Sequence, residues 1–157
     1  MARVTRSRLT PDSALRSCVS AGDFLDCYAV PCAAGPRKAA AAFVAFPGWI
    51  RALLGLRALL TGPLGLRSAP RGGGDRIGPF PILDETGEEL IAGFDDRHLD
   101  FRISVMSREG RLSVATWVRP HNVWGRLYLA AVLPFHILIV RDGLARAARA
   151  YMSSSSA

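Results

Sequence analysis

The residues of this 157-residue chain that could do chemistry are its three histidines and the side chains around them. His98 and Asp100 stand two apart in an alternating stretch, HLDFRISV, so both belong to one face of a strand, and a hairpin around Glu109-Gly110 brings Arg119 across to them. Imidazole, carboxylate and guanidinium together could form an acid-base group or an anion site. On a partly solvated sheet face the same three make a cross-strand charge network, and that is the reading adopted. Asp95, Asp96, His98 and Asp100 are metal-ligand types, but they are not spaced as an EF-hand loop and no second histidine is near, so no metal is expected. His121, beside Asn122, reads as a helix-start residue. His136 follows Phe135 in a long apolar run. A buried histidine is usually a hydrogen-bonded core member, yet Pro134 cannot donate to the carbonyl of Ala130, and an imidazole near a freed carbonyl would place a polar spot in an apolar wall. No serine sits in a GxSxG elbow and none of Cys18, Cys27 and Cys32 has a neighbouring histidine, so covalent catalysis has no positive support.

The element that must position these groups is His121 to Met152. On a helical wheel Trp124, Leu127, Tyr128, Ala131, Phe135 and Leu138 share a sector roughly 100° wide, the expected core stripe, with His136 about 100° away near Leu129 and Val132. Asn122 is a plausible N-cap, and Arg141, Arg146 and Arg149 among alanines read as a solvated helix end. The charge-free run Leu127 to Val140 is shorter than the ~20 residues of a membrane span, so no transmembrane segment is expected.

Earlier, DFLDCYAV (Asp23 to Val30) reads as a strand ended by Pro31, and Pro36 opens a helix over KAAAAFVAF. A second helix is expected over PGWIRALLGLRALLTG, stopped by Gly62-Pro63. RSAPRGGGDR (Arg67 to Arg76) is a connection: its triple glycine lacks the signatures of a phosphate loop, and no cofactor is implied. From Pro79 the period becomes two, with one hairpin around Thr86-Gly87 and another around Glu109-Gly110. Leu99, Phe101, Ile103 and Val105 then share a core face with Leu112, Val114, Thr116 and Val118, whether the second turn has two residues or four. The fold class is therefore α+β: an antiparallel sheet gripping a long C-terminal helix, with two shorter helices after the first strand. Residues 1–20 are expected to form a disordered tail, 21–152 a single domain and 153–157 a second tail.

Half of the residues are hydrophobic and the net charge is +7, but Lys38 is the one lysine and the arginines are scattered, so no nucleic-acid module is expected. Three cysteines without CxxC spacing argue against a disulfide framework and for a reducing, cytoplasmic setting. The N-terminus has no apolar run of a secretory signal.

GFDDRHLDFRISV, RPHNVWGRLYLAAVLPFHILIVR and the earlier DFLDCYAV with WIRALLGLR resemble the bacterial family of domain of unknown function 2867. The matching positions are His98, Asp100, Arg102, Gly125, Arg126, Tyr128, Pro134, Phe135 and His136, without assigned roles. Members fused behind nucleotide-binding dehydrogenase-like domains imply a dehydrogenase-like partner. The order of elements is similar to that of START-like, helix-grip proteins, in which a curved sheet and a long helix enclose an apolar cavity.

The expected function is thus binding of an apolar small molecule between sheet and helix, in a wall made of Phe101, Ile103, Thr116, Val118, Trp124, Tyr128, Ala131, Phe135 and His136. The alternatives are an enzyme on the same scaffold, with His136, Tyr128 or His98 carrying a proton, and a solid-core interaction domain beside a dehydrogenase-like protein.

Overall fold

The computed structural model describes residues 3–52 and 74–155. Its centre is a seven-stranded antiparallel sheet. The strands are β1 (Thr5–Arg6), β2 (Phe24–Pro31), β3 (Arg76–Ile77), β4 (Phe80–Glu85), β5 (Glu89–Asp95), β6 (Leu99–Arg108) and β7 (Arg111–Pro120), in the order β1-β2-β7-β6-β5-β4-β3. Two helices, α1 (Pro36–Val44) and α2 (Val123–Ser155), accompany it. This is the α+β arrangement expected of the sequence. Of the second short helix, residues 48–52 are helical, and the remainder, with most of the Arg67 to Arg76 connection, lies outside the described residues.

The long β6–β7 hairpin decides which side chains face α2. Arg108 pairs with Arg111 and both connecting residues have positive φ, Glu109 at 52° and Gly110 at 71°, so the tight two-residue turn is the one formed. Its register sets Ile103 opposite Thr116 and Val105 opposite Val114. These residues, with Leu112 and Val118, are buried together on one face, as their parity predicts. Tyr28 and Val30 of β2 and Leu90 and Ala92 of β5 extend that face, which packs on Ala39, Ala40 and Phe43 of α1 and Val140, Leu144, Ala147 and Ala148 of α2.

The phase of α2 differs from the aromatic stripe. Trp124 is 58% exposed, Leu127 57%, Phe135 48% and Leu138 58%, whereas Gly125, Gly143, Ala147 and Ala148 are buried. The reason is close approach. A Cβ on Gly125 would stand 2.1 Å from the carbonyl oxygen of His98, and one on Gly143 2.5 Å from the ring of Phe43. Eighteen residues are five helical turns, so these two glycines lie on one line, and no larger residue could replace that contact face without moving the helix off the sheet. The line brings His136 inward and turns Phe135 out.

A second correction concerns the helix end. The part expected to be solvated is the more deeply buried half, and Arg146 there serves the last carbonyls of α1: its Nη1 and Nη2 donate to Ala42 (3.3 Å), Ala45 and Phe43 (3.2 Å) while its Nε pairs with Asp142 at 2.9 Å. The helix also continues through Ser153 to Ser155. Pro134 lies within it at an exposed position, as does Ala130, whose carbonyl it leaves to water. By length and composition the stretch Val123–Ser153 could cross a membrane, with mean hydropathy 1.7 over its best window, of which 11% is buried. Yet Val140, Leu144, Ala147 and Ala148, in the same helix, belong to the core against the sheet.

The other sheet face, expected to be partly solvated, is covered, and what covers it is the N-terminal segment placed by composition in a disordered tail. Leu9 and Leu15 pack there on Cys27, Ile91, Ala115 and Trp117, and a 3-10 turn spans Ala14–Cys18. Leucine at positions 9 and 15 supplies the apolar surface that a tail would lack, but six residues apart they carry no helical or strand period.

Replacing Gly143 by alanine should destabilise the fold by about 1–3 kcal/mol, as overpacking does, and Gly125→Ala at least as much, because its clash is with backbone. Urea denaturation followed by circular dichroism measures both. Changes near zero would mean that α2 does not lie on the line of its glycines.

Candidate functional site

Between the wide end of the sheet and the first half of α2 the structure leaves a cavity of about 170 Å³. Its sheet wall is Phe24, Phe80, Phe94, Leu99, Phe101, Ile103, Thr116 and Val118, and its helix wall is Tyr128, Leu129, Val132, His136, Ile139 and Val140, with Phe43, Phe46 and Ile50 closing one side. Phe80, Phe94 and Phe101 form an aromatic cluster with centroids 5.3 to 6.4 Å apart. Space persists because bulky rings from short neighbouring strands meet a helix face of intermediate residues: rigid rings cannot interdigitate with Val132 and Ile139 as flexible chains would.

Six of the nine residues assigned to this wall from sequence line the cavity: Phe101, Ile103, Thr116, Val118, Tyr128 and His136. Trp124, Ala131 and Phe135 do not. They lie on the outer side of α2, exposed, because the glycine line sets the rotation of the helix.

The polar groups at the cavity form one neighbourhood. Asp26 of β2 is 6% exposed and faces Thr116 of β7 directly across the ladder. His136 approaches its carboxylate with Nε2 3.3 Å from Oδ1 and 3.2 Å from Oδ2, and its ring meets Phe24 edge-on at 6.0 Å. One N–H cannot serve both oxygens well. Among the described residues Oδ2 has no hydrogen-bond donor, and the hydroxyl of Thr116, which is 1% exposed, has no partner. A carboxylate only accepts, so in this contact Nε2 is the donor. Asp26 itself was not singled out from sequence; a lone aspartate among apolar neighbours in DFLDCYAV was the available signal.

A second buried carboxylate shows what full satisfaction looks like. Glu89, on the opposite sheet face, accepts from Ser13 Oγ (2.5 Å), Ser104 Oγ (2.5 Å) and the backbone N–H of Ala14 (2.9 Å). It fastens the N-terminal segment to the sheet. Asp26 has His136 as its one side-chain partner among the described residues, and a buried carboxylate so sparsely paired is costly to hold.

The group of His98, Asp100 and Arg119 does not assemble. Asp100 pairs with His121 at 2.9 Å, His98 with Asn122, and Arg119 with Asp23 at 2.8 Å. Asn122 caps α2 as expected, accepting from the N–H of Gly125 at 3.0 Å, so His98 is a latch for the helix start. Asp95 pairs with Arg102, and among the described residues no three His, Cys, Asp or Glu gather as metal ligands would. Asp23 is held well below the usual carboxylate range, first by the Arg119 guanidinium and then by the N–H groups of Ser20 and Trp117. Arg119 also lies over the Trp117 ring at 5.0 Å.

The comparisons with known proteins bear on this site. A family model described as a protein of unknown function, DUF2867, matches residues 19–143, which include β2, the whole β4–β7 sheet and the cavity half of α2. The chain belongs to the DUF2867 family. Neither curated proteins nor solved structures gave a match. The matched span of this DUF2867 protein contains Asp26, Thr116 and His136, while most of the N-terminal segment over the opposite face precedes it.

Three outcomes follow. Ser13→Ala, which takes one donor from a buried carboxylate, should cost about 1–3 kcal/mol in urea denaturation; no loss would mean that Glu89 is not the fastener of the segment. Because the folded pKa of Asp23 lies below its ordinary 3.8, its contribution to stability is present above that value and is lost as pH falls through and below it. Asp23→Asn should therefore lose less stability than the parent protein between pH 5 and pH 2. Burial raises the Cys27 thiol to about 11, so at pH 8 iodoacetamide should modify half-exposed Cys18 well before Cys27, as peptide mass spectrometry would show.

Proposed function

We propose that this DUF2867 protein binds a hydrophobic small molecule between its sheet and α2, with Thr116, His136 and Asp26 as polar anchors. The observation that carries the reading is an apolar cavity lined by the buried Thr116 hydroxyl, which has no hydrogen-bond partner among the described residues, and by the imidazole of His136, which Asp26 holds from behind. Apolar lining with a small number of oriented polar groups is the usual make-up of a ligand site. The volume is slightly above that of an engineered cavity of ~150 Å³ that takes benzene, which suits a molecule of one or two fused rings. The sheet-and-helix arrangement supports a likeness to START-like, helix-grip binding proteins, and three free cysteines are consistent with a reducing cytoplasm.

A second reading, an interaction domain beside a dehydrogenase-like partner, draws on the outer side of α2. There Trp124, Leu127, Phe135 and Leu138 are all about half exposed.

Indole is a suitable probe. Titrated calorimetrically it should bind the parent protein, and Val132→Phe, which fills the cavity from α2, should weaken binding at least tenfold while leaving the melting temperature within a few degrees. Native mass spectrometry of protein taken from its own cells should show a bound small molecule. No indole binding together with strong destabilisation by Val132→Phe would mean a filled core and would favour the interaction-domain reading.

A further inference from the structure

We propose that His136, oriented by Asp26, is a general base that moves a proton on an apolar carbonyl compound held in the cavity, with the Thr116 hydroxyl as donor to the carbonyl oxygen. This rests on the binding reading and adds a reaction to it.

The inference begins with the two buried carboxylates. Glu89 accepts from three donors and faces the packed N-terminal segment, so its role is complete in the fold. Asp26, equally buried, has among the described residues only the imidazole of His136, and that imidazole lines a cavity. A carboxylate behind a histidine fixes the tautomer and aims the other ring nitrogen. With Nε2 donating to Asp26, Nδ1 is left as a base, and it makes no hydrogen bond among the described residues.

The second half is Thr116. Its Cα is the direct cross-strand partner of Asp26, which keeps the two side chains within roughly 5 Å at Cβ on the same face. Its Oγ1 is buried and has no partner among the described residues, and Thr116 belongs to the cavity wall. A buried hydroxyl with nothing to bond is unusual unless a ligand supplies the acceptor. A carbonyl oxygen there would set the adjacent carbon toward the imidazole.

The step needs no co-reactant. His136 Nδ1 takes a proton from the carbon next to the carbonyl. The electron pair of the broken C–H bond forms the C=C bond, and the carbonyl π pair moves to oxygen, where the Thr116 hydroxyl donates a hydrogen bond. The imidazolium then returns a proton, its own or in D2O a deuteron gained by exchange with solvent, to the same carbon or, in a conjugated compound, to the carbon two positions on. Its charge is matched meanwhile by Asp26. The apolar wall gives the developing charge few competing polar partners besides the Thr116 hydroxyl. The substrate class is therefore a hydrophobic ketone or enone of one or two rings, and the reaction class is enolisation or a 1,3-proton shift.

The test uses the full chain and 2-indanone in D2O, with loss of the α-proton signals followed by NMR and binding followed by line broadening. At saturation the protein should exchange these protons at least about a hundredfold faster than buffer alone, the lower end of general acid-base catalysis. His136→Gln should abolish the acceleration at saturating 2-indanone. Thr116→Val should lower the saturated rate about tenfold or more. Asp26 acts through the imidazole, so Asp26→Asn should lower the saturated rate tenfold or more and change that rate more than the affinity, a split that loss of packing alone would not produce. Where Asp26→Asn fails to fold by circular dichroism, the other two variants decide. Binding without acceleration, or acceleration that survives His136→Gln, overturns the proton transfer and leaves the binding reading standing. If 2-indanone does not bind, both readings fall.

Discussion

Two missing side chains set the geometry on which everything else depends. Gly125 and Gly143 let α2 lie against the backbone of His98 at one end and the ring of Phe43 at the other. Once those contacts exist the rotation of the helix is fixed, and with it the fate of each residue between them: Leu129, Val132, His136 and Ile139 go inward, Trp124, Phe135 and Leu138 outward. A rotation of one residue, about 100°, would exchange His136 for Phe135 and remove the pairing with Asp26. The helix thus trades burial of its largest aromatics for closeness; Asn122 caps its start, and its Arg146 satisfies the last carbonyls of α1 beside it.

The strands were legible in the sequence because a period of two has no phase ambiguity once one core residue is known. The parity of Leu99 to Val105 and of Leu112 to Val118, the Glu109-Gly110 turn, the strand at DFLDCYAV and the proline-opened α1 all follow from local chemistry. The phase of α2 was not legible by hydrophobicity, since residues 124–140 are apolar on nearly every side and a wheel then favours the largest residues over the closest-fitting ones. The signal that resolves it is smallness at a spacing of eighteen, a statement about approach of backbones and not about burial of area. Similarly, the N-terminal segment looked like a tail because its order comes from one distant carboxylate, Glu89, seventy-six positions from Ser13, and no local pattern encodes such a contact.

The candidate site shows the same division. Residues placed by strand parity, Phe101, Ile103, Thr116 and Val118, reach the cavity; of those placed by the helical wheel, Trp124, Ala131 and Phe135 miss it. His136, weighed as a core histidine or a polar spot in an apolar wall, is both: its partner is not the carbonyl freed by Pro134 but the carboxylate of Asp26 on β2. That pairing joins positions 110 apart. The sheet therefore carries two buried acids with opposite logic, Glu89 closing the fold on one face and Asp26 holding a histidine at the open space on the other.

The account stands on that space being real and apolar. Xenon enters such cavities without needing a polar partner, so a crystal of the protein pressurised with xenon tests it directly. The expected result is an ordered xenon atom among Phe101, Val118, Val132 and Ile139, with His136 still beside Asp26. A structure in which those side chains meet with no xenon between them would contradict the account.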